Sequence, residues 1–315
     1  MASSEDIPRE YLTHNDNDIL GLLAQTPIEN TIAPGDLETV LSISPFVVVP
    51  GTFNLRDVGG GNAIRPNVIY RSGTLSGLLP EGKDVLVSKL QIRTVFDLRS
   101  ARERAAFPFP DSINGKNDDI EVLWCPSDTP PTDTDIKNFV DLPSESPESW
   151  SGGARGFSRD YLEVLRIFKT SFQRVFQHLL DRPNDAVLFN CTAGKDRTGT
   201  LAALIQALAG MADEDIARDY ALSRIGMEPQ KAYLTAFIKK WKPDWTPETP
   251  GMRGFSNVRA EYMIRFLKDA KGTYPPNQRH SNWAAEYVYT QLGFSEDDIE
   301  KIRKNLRSAP AENGV

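Results

Sequence analysis

The chain has 315 residues, room for one large domain or two ordinary ones, and 40% apolar with 25% charged content suits a folded core. Its net charge of −7 excludes global attraction to nucleic acid or to an anionic membrane surface, so any anion-binding site must be local. Two cysteines exclude a disulfide framework, and three scattered histidines (His14, His178, His280) show no metal-ligand spacing, so no metal or cofactor is expected.

The first residues carry no basic and apolar leader pattern, and no run is apolar enough to span a bilayer, so a cytoplasmic location is expected. Residues 1–44 read as an N-terminal arm in which "DNDILGLLAQ" forms a short helix. "NVIYRSGTL" (67–75) and "IRTVFDLRS" (92–100) suit buried strands, and 76–91 between them has helical spacing, with Leu78, Val85, Leu86 and Leu90 apolar. Strand, helix, strand implies a parallel βαβ unit. "IEVLWC" (120–125) is a third strand ending at Cys125, which reads as a buried apolar group or an oxidation partner for Cys191.

Residues 126–157 form a long polar loop, of the kind that serves as a lid or an insertion. One amphipathic helix is expected over 158–180, then a buried strand "AVLFN" (186–190). "TGTLAALIQALAG" (198–210) reads as an apolar helix closed by Gly210. The rest is helical, interrupted by prolines in "KKWKPDWTPETPGMRG" (239–254), where lysines and tryptophans suit a lid element or a solvated helix end.

Between the last strand and its helix stands "CTAGKDR" (191–197). Strand, tight loop, helix gathers unpaired N–H groups of Thr192, Ala193, Gly194 and Lys195 at a helix N-terminus, where donors and dipole favour an anion. Arg197 adds a planar fork that matches phosphate oxygens. The same field favours a thiolate at Cys191, which would attack phosphorus and form a cysteinyl-phosphate that water then hydrolyses. Thr198 can donate its hydroxyl to the sulfur in the second step.

These residues resemble the cysteine-based protein-tyrosine phosphatase superfamily, in the tyrosine and lipid phosphatase branch of bacteria and fungi that carries "AGKDRTG". Further matches are "TFNLRDVGG" (52–60), "YRSGTL" (70–75), "FDLRS" with Glu103 (96–103), "DYALS" (219–223) and "LGFSEDDIEKIRKNL" (292–306). The resemblance implies an α/β fold with a central, mainly parallel sheet flanked by helices, a helical C-terminal half and a helical lid. It also implies one catalytic domain over 45–308, with 309–315 as a tail.

The implied substrates are phosphotyrosine protein, phosphoinositide or a small metabolic phosphate; membrane contact is allowed but not required, and the oligomeric state is open. Two aspartates compete as general acid. Asp196 matches the branch's loop position and is preferred; Asp128 follows a strand where other tyrosine phosphatases keep a mobile acid loop. Arg56, Asp57 and Arg71 are expected either to shape the pocket beside the loop or to form a buried ion pair that ties the arm to the sheet, and Asp97 and Arg99 to support the site without taking part in catalysis. The family's histidine before the cysteine is Asn190 here, which leaves a phosphate-binding protein with impaired catalysis as the alternative.

Overall fold

Strands form where the chain offers short β-branched and aromatic runs. The computed structural model describes residues 18–60, 63–114, 119–143 and 150–307; His14, the first part of the arm and the tail at 309–315 lie outside them. Its sheet comprises β1 (Arg56–Asp57), β2 (Ile69–Ser72), β3 (Ile92–Asp97), β4 (Glu121–Trp124) and β5 (Ala186–Asn190), in the order β1-β2-β5-β3-β4. All but β1 run parallel. The fold is α/β, as expected, but β5 separates β2 from β3. β5 is buried along its whole length and reads apolar on both faces, as a central parallel strand must. Burying Val187, Leu188 and Phe189 contributes roughly 1.5–3 kcal/mol each.

The helices α1 (Ile19–Ala24) and α2 (Pro34–Leu41) belong to the arm, whose described part, residues 18–44, is docked on the body. Leu20, Ala24, Ile32 and Val40 are buried in the main core, and Arg224 donates to the carbonyls of Thr26 and Asn30. After β2, α3 (Pro80–Asp84) runs into a π-helical turn, Val85–Lys89. α4 (Ala101–Ala106) and α5 (Asp111–Asn114) then connect β3 to β4.

The single helix expected over 158–180 is two, α6 (Gly152–Ile167) and α7 (Lys169–Asp181), broken at Phe168 (φ −111°, ψ 21°). α6 also starts earlier than its apolar spacing suggests. Ser151 caps it, and its first turns pack so closely on Tyr262 that a Cβ on Gly153 would lie 2.3 Å from the ring. Glycine is a poor helix former, so propensity hides this start and tertiary contact decides it.

α8 (Asp196–Ala209) ends at Gly210 in the left-handed conformation (φ 88°), as its sequence predicts. The C-terminal half continues with α9 (Asp213–Ala221), α10 (Ser223–Gly226), α11 (Lys231–Trp241), α12 (Met252–Ser256), α13 (Ala260–Thr273), α14 (Trp283–Leu292) and α15 (Glu296–Arg307). α13 packs along α6 and α9, while Leu234, Phe237 and Trp241 of α11 and Phe255 of α12 overhang a cleft at the carboxyl edge of the sheet. Among the described residues, no helix is long and apolar enough to cross a membrane.

Candidate active site

Parallel strands present their carboxyl ends on one side, and ligands bind there. In register, Ser72 of β2 and Asp97 of β3 both stand beside Asn190, the last residue of β5. Cys191 therefore leaves the middle of the sheet, and residues 191–195 curl from it into the N-terminus of α8. The loop turns at Gly194 (φ +70°), where a Cβ would lie 2.4 Å from the Ser72 carbonyl oxygen; only glycine fits.

The loop's carbonyls are held from behind. Thr74 N–H donates to Thr192 O at 3.1 Å, and Asn54 Nδ2 donates to Ala193 O and Gly194 O at 3.0 and 3.2 Å. Arg71 Nη2 donates to Gly194 O at 3.0 Å. With the carbonyls engaged outside, the N–H groups of Thr192, Ala193, Gly194 and Lys195 make no hydrogen bond among the described residues. They form a nest of donors at the positive end of α8, beside Cys191.

Asp219 fixes that support. Its two oxygens accept from Arg56 Nε at 2.8 Å and Arg71 Nη1 at 2.6 Å, with both guanidiniums buried. Burial alone would raise the Asp219 carboxyl, but the charges of Arg56 and Arg71 and their hydrogen bonds hold it below its usual range. Arg71 thus bonds the loop from behind. Asp57 does not: its carboxylate accepts from Gly59 N–H and Asn67 N–H and braces the turn between β1 and β2.

Arg197 is oriented by Glu103. Its Nη1 and Nη2 donate to Glu103 Oε2 and Oε1 at 2.7 and 2.6 Å, and Nη1 also donates to Leu98 O at 3.2 Å. A guanidinium has five N–H groups. The two left over, on Nε and Nη2, lie on one edge, a parallel pair suited to two phosphate oxygens. Glu103 also accepts from Thr192 Oγ1 at 2.5 Å and caps α4 by accepting from Ser100 N–H at 2.8 Å.

Burial would raise this carboxyl; the Arg197 charge, hydrogen bonds from Arg197 and Thr192 and the Ser100 N–H together hold it well below the usual carboxylate range. Asp97 sets the turn that delivers Glu103. It accepts from Arg99 Nε at 2.8 Å and pairs with Arg104 at 3.2 Å. A capping box, Ser100 followed by Glu103, is written in the sequence, but its second duty at Arg197 is not.

The remaining expected residues divide. Lys195 Nζ pairs with Asp196 Oδ1 at 2.8 Å and sits 3.7 Å over the Phe157 ring. Asp196 also accepts from Tyr161 Oη, whose partner is Tyr220. Thr198 Oγ1 is buried in the first turn of α8 with no hydrogen-bond partner among the described residues. Asn190 Nδ2 donates to Cys191 O at 3.4 Å, and its Oδ1 has no partner among the described residues. Asp128 stands apart: its carboxylate accepts from Thr170 N–H at the start of α7 and does not line the cleft. Cys125 and Cys191 are both free; burial pushes the Cys125 thiol up to about 11, with Arg174 opposing.

Cys191, Lys195, Asp196 and Arg197 open into a cleft of about 1440 Å³, walled by α6, residues 131–142, α11 and α12. Sequence reasoning missed Asn54, Asp219, Tyr161 and the role of Glu103, because each acts from a distant segment. Among the described residues, no three His, Cys, Asp or Glu side chains group as metal ligands.

The tyrosine phosphatase family model matches residues 47–308. The triple specificity protein phosphatase PtpB of Mycobacterium tuberculosis is 30% identical over 254 residues, 72% of this chain and 89% of that one. A tyrosine-protein phosphatase of Nostoc commune is 29% identical over 256 residues, 78% of this chain and 76% of that one. The core catalytic domain of the PP-IP phosphatase SIW14 from S. cerevisiae aligns at a TM-score of 0.31 and 18% identity, over 62% of this chain and 98% of that one, too loosely to bear on fold or function. With relatives that are named phosphatases, the reading of Asn190 as the mark of a non-catalytic phosphate-binding protein is not favoured.

Proposed function

The chain belongs to the tyrosine phosphatase family and is a phosphatase, and on that premise we propose that it hydrolyses phosphate monoesters through a phosphocysteine at Cys191. One observation carries the reading: beside the Cys191 thiol, the N–H groups of residues 192–195 and one edge of Arg197 make no hydrogen bond within the described protein. Those donors would hold the three non-bridging phosphate oxygens and the charge that develops on them.

The thiolate attacks phosphorus as the ester P–O bond breaks, and the leaving oxygen takes a proton. Water then attacks phosphorus, its proton passes to a carboxylate, and the S–P bond breaks to return the thiolate. The unpartnered Thr198 hydroxyl is suited to stabilise that departing sulfur. Of the two sequence candidates for the acid, Asp196 faces the cleft and Asp128 serves α7. No step needs a metal or cofactor.

The substrate is a phosphotyrosine protein, a phosphoinositide or a small metabolic phosphate; the breadth named for the mycobacterial relative supports leaving all three in the test. The free thiols suit a reducing compartment such as the cytoplasm. A panel of phosphopeptides, inositol lipids and prenyl phosphates, with wild type against Cys191→Ser, tests the reading. We expect turnover only with Cys191 and an acid-quenched phosphoenzyme. Undiminished hydrolysis by the serine variant with no trapped adduct would overturn it.

A further inference from the structure

The cleft holds a further carboxyl beside the loop, one that the loop motif does not announce. Asp160 lies on α6, three residues past Phe157, whose ring carries Lys195 Nζ, and one before Tyr161, whose hydroxyl bonds Asp196. Its side chain lines the cleft together with Cys191 and Asp196. Among the described residues it has no hydrogen-bond or ion-pair partner.

Asp196 is placed differently. Its Oδ1 accepts from the Lys195 ammonium at 2.8 Å and from Tyr161 Oη at 2.9 Å. Both neighbours donate, which is the bonding pattern of an ionised carboxylate acting only as an acceptor.

We infer that Asp160 delivers the proton to the leaving oxygen and that Asp196 is the fixed anion beside it. The assignment rests on the phosphocysteine reading above. Burial, and then the Asp196 charge, push the Asp160 carboxyl up to about 7, with Lys195 and Arg159 opposing and Glu163 adding to the rise. Other charges near α6 are engaged elsewhere or lie along the cleft: Arg265 of α13 bonds Asp269 at 2.7 Å, and Lys137, in the short turn packed on α6, lines the same cleft. A carboxyl kept neutral can donate a proton in a site that also holds a fixed anion.

The protons balance across the two halves of the reaction. As Sγ–P forms and P–O breaks, the Asp160 proton goes to the leaving oxygen and leaves a carboxylate. As water attacks the phosphocysteine, that carboxylate takes the water's proton and the S–P bond breaks, restoring both groups.

The test compares Asp160→Asn, Asp160→Glu, Asp196→Asn and Cys191→Ser with wild type, as full chains, across pH and over phosphate esters of rising leaving-group basicity. We expect Asp160→Asn to lose the basic limb of the kcat/KM profile. Its deficit should be about 10²-fold or more for alkyl and phenyl esters and under about tenfold for p-nitrophenyl phosphate, since a good leaving group needs little proton help. Asp160→Glu should recover the limb. Asp196→Asn should keep it but move it to lower pH, because the anion that holds the proton on Asp160 is gone. A limb retained in Asp160→Asn, or a deficit equal for every leaving group while inorganic phosphate still binds, would overturn the assignment. Activity surviving in Cys191→Ser would instead overturn the phosphocysteine reading.

Discussion

Glu103→Gln keeps the shape of the side chain that grips Arg197 and removes its charge. Two charge-assisted hydrogen bonds, at 2.6 and 2.7 Å, lose their ionic acceptor between groups only 13% and 21% exposed. Each such bond is worth about 1.5–3 kcal/mol net. A bound phosphate dianion returns part of that to Arg197, so we expect a loss near 3 kcal/mol in the transition state, about 150-fold in kcat.

Ground-state binding should behave otherwise. Arg197 loses a counter-charge, so inorganic phosphate should bind as well as in wild type or more tightly, while kcat falls. The sign of the pH dependence follows from the depressed Glu103 carboxyl: the pair is present above the ordinary carboxylate range and is lost only as pH falls through the lowered value. The deficit of the variant should therefore be flat from about pH 5 to 8. Steady-state kinetics with an aryl phosphate, and calorimetric titration with phosphate, read the two quantities. A kcat within fivefold of wild type, or a loss confined to phosphate affinity, would refute the orienting role of Glu103.

Asp219→Asn leaves Arg56 and Arg71 buried without their shared counter-charge and should cost about 3–5 kcal/mol in urea unfolding; a loss under 1 kcal/mol would contradict the bracing scheme. Gly194→Ala forces a side chain against the Ser72 carbonyl at positive φ, and phosphate affinity should fall more than tenfold by fluorescence or calorimetric titration. Asp160→Asn bears on stability as well as rate. The folded carboxyl titrates near 7, so its favourable contribution is full below the ordinary Asp value near 4 and lost as pH rises through 7. The amide should thus raise stability by about 1–2 kcal/mol at about pH 8, after discounting for solvent, and leave it unchanged at about pH 4; equal effects at both would refute the shift.

Much of the site could be read along the chain because its parts are contiguous. Residues 191–198 carry the proposed nucleophile, the turn glycine, the guanidinium and the helix start in one stretch, and local backbone geometry ties spacing to chemistry. Strands β2 to β5 were legible from period and composition, though the two-residue β1 was not, and Gly210 was legible from the left-handed conformation a helix end favours. What failed were features set by partners far away. The apolar period over 158–180 carries no sign of the break at Phe168, and the glycine-rich start of α6 contradicts its own propensity until Tyr262 packs on it.

The sequence by itself determined that a lone thiol, four adjacent amides and an arginine share one loop, since covalent neighbours cannot be separated by folding. Only the tertiary structure decided which edge of Arg197 is left unbonded among the described residues, which carboxyls are paired to cations and which helices overhang the cleft. Those depend on groups such as Glu103, Asp219 and Tyr161, brought near by burial across long sequence separations, where charge and solvent exclusion act through space rather than along the chain.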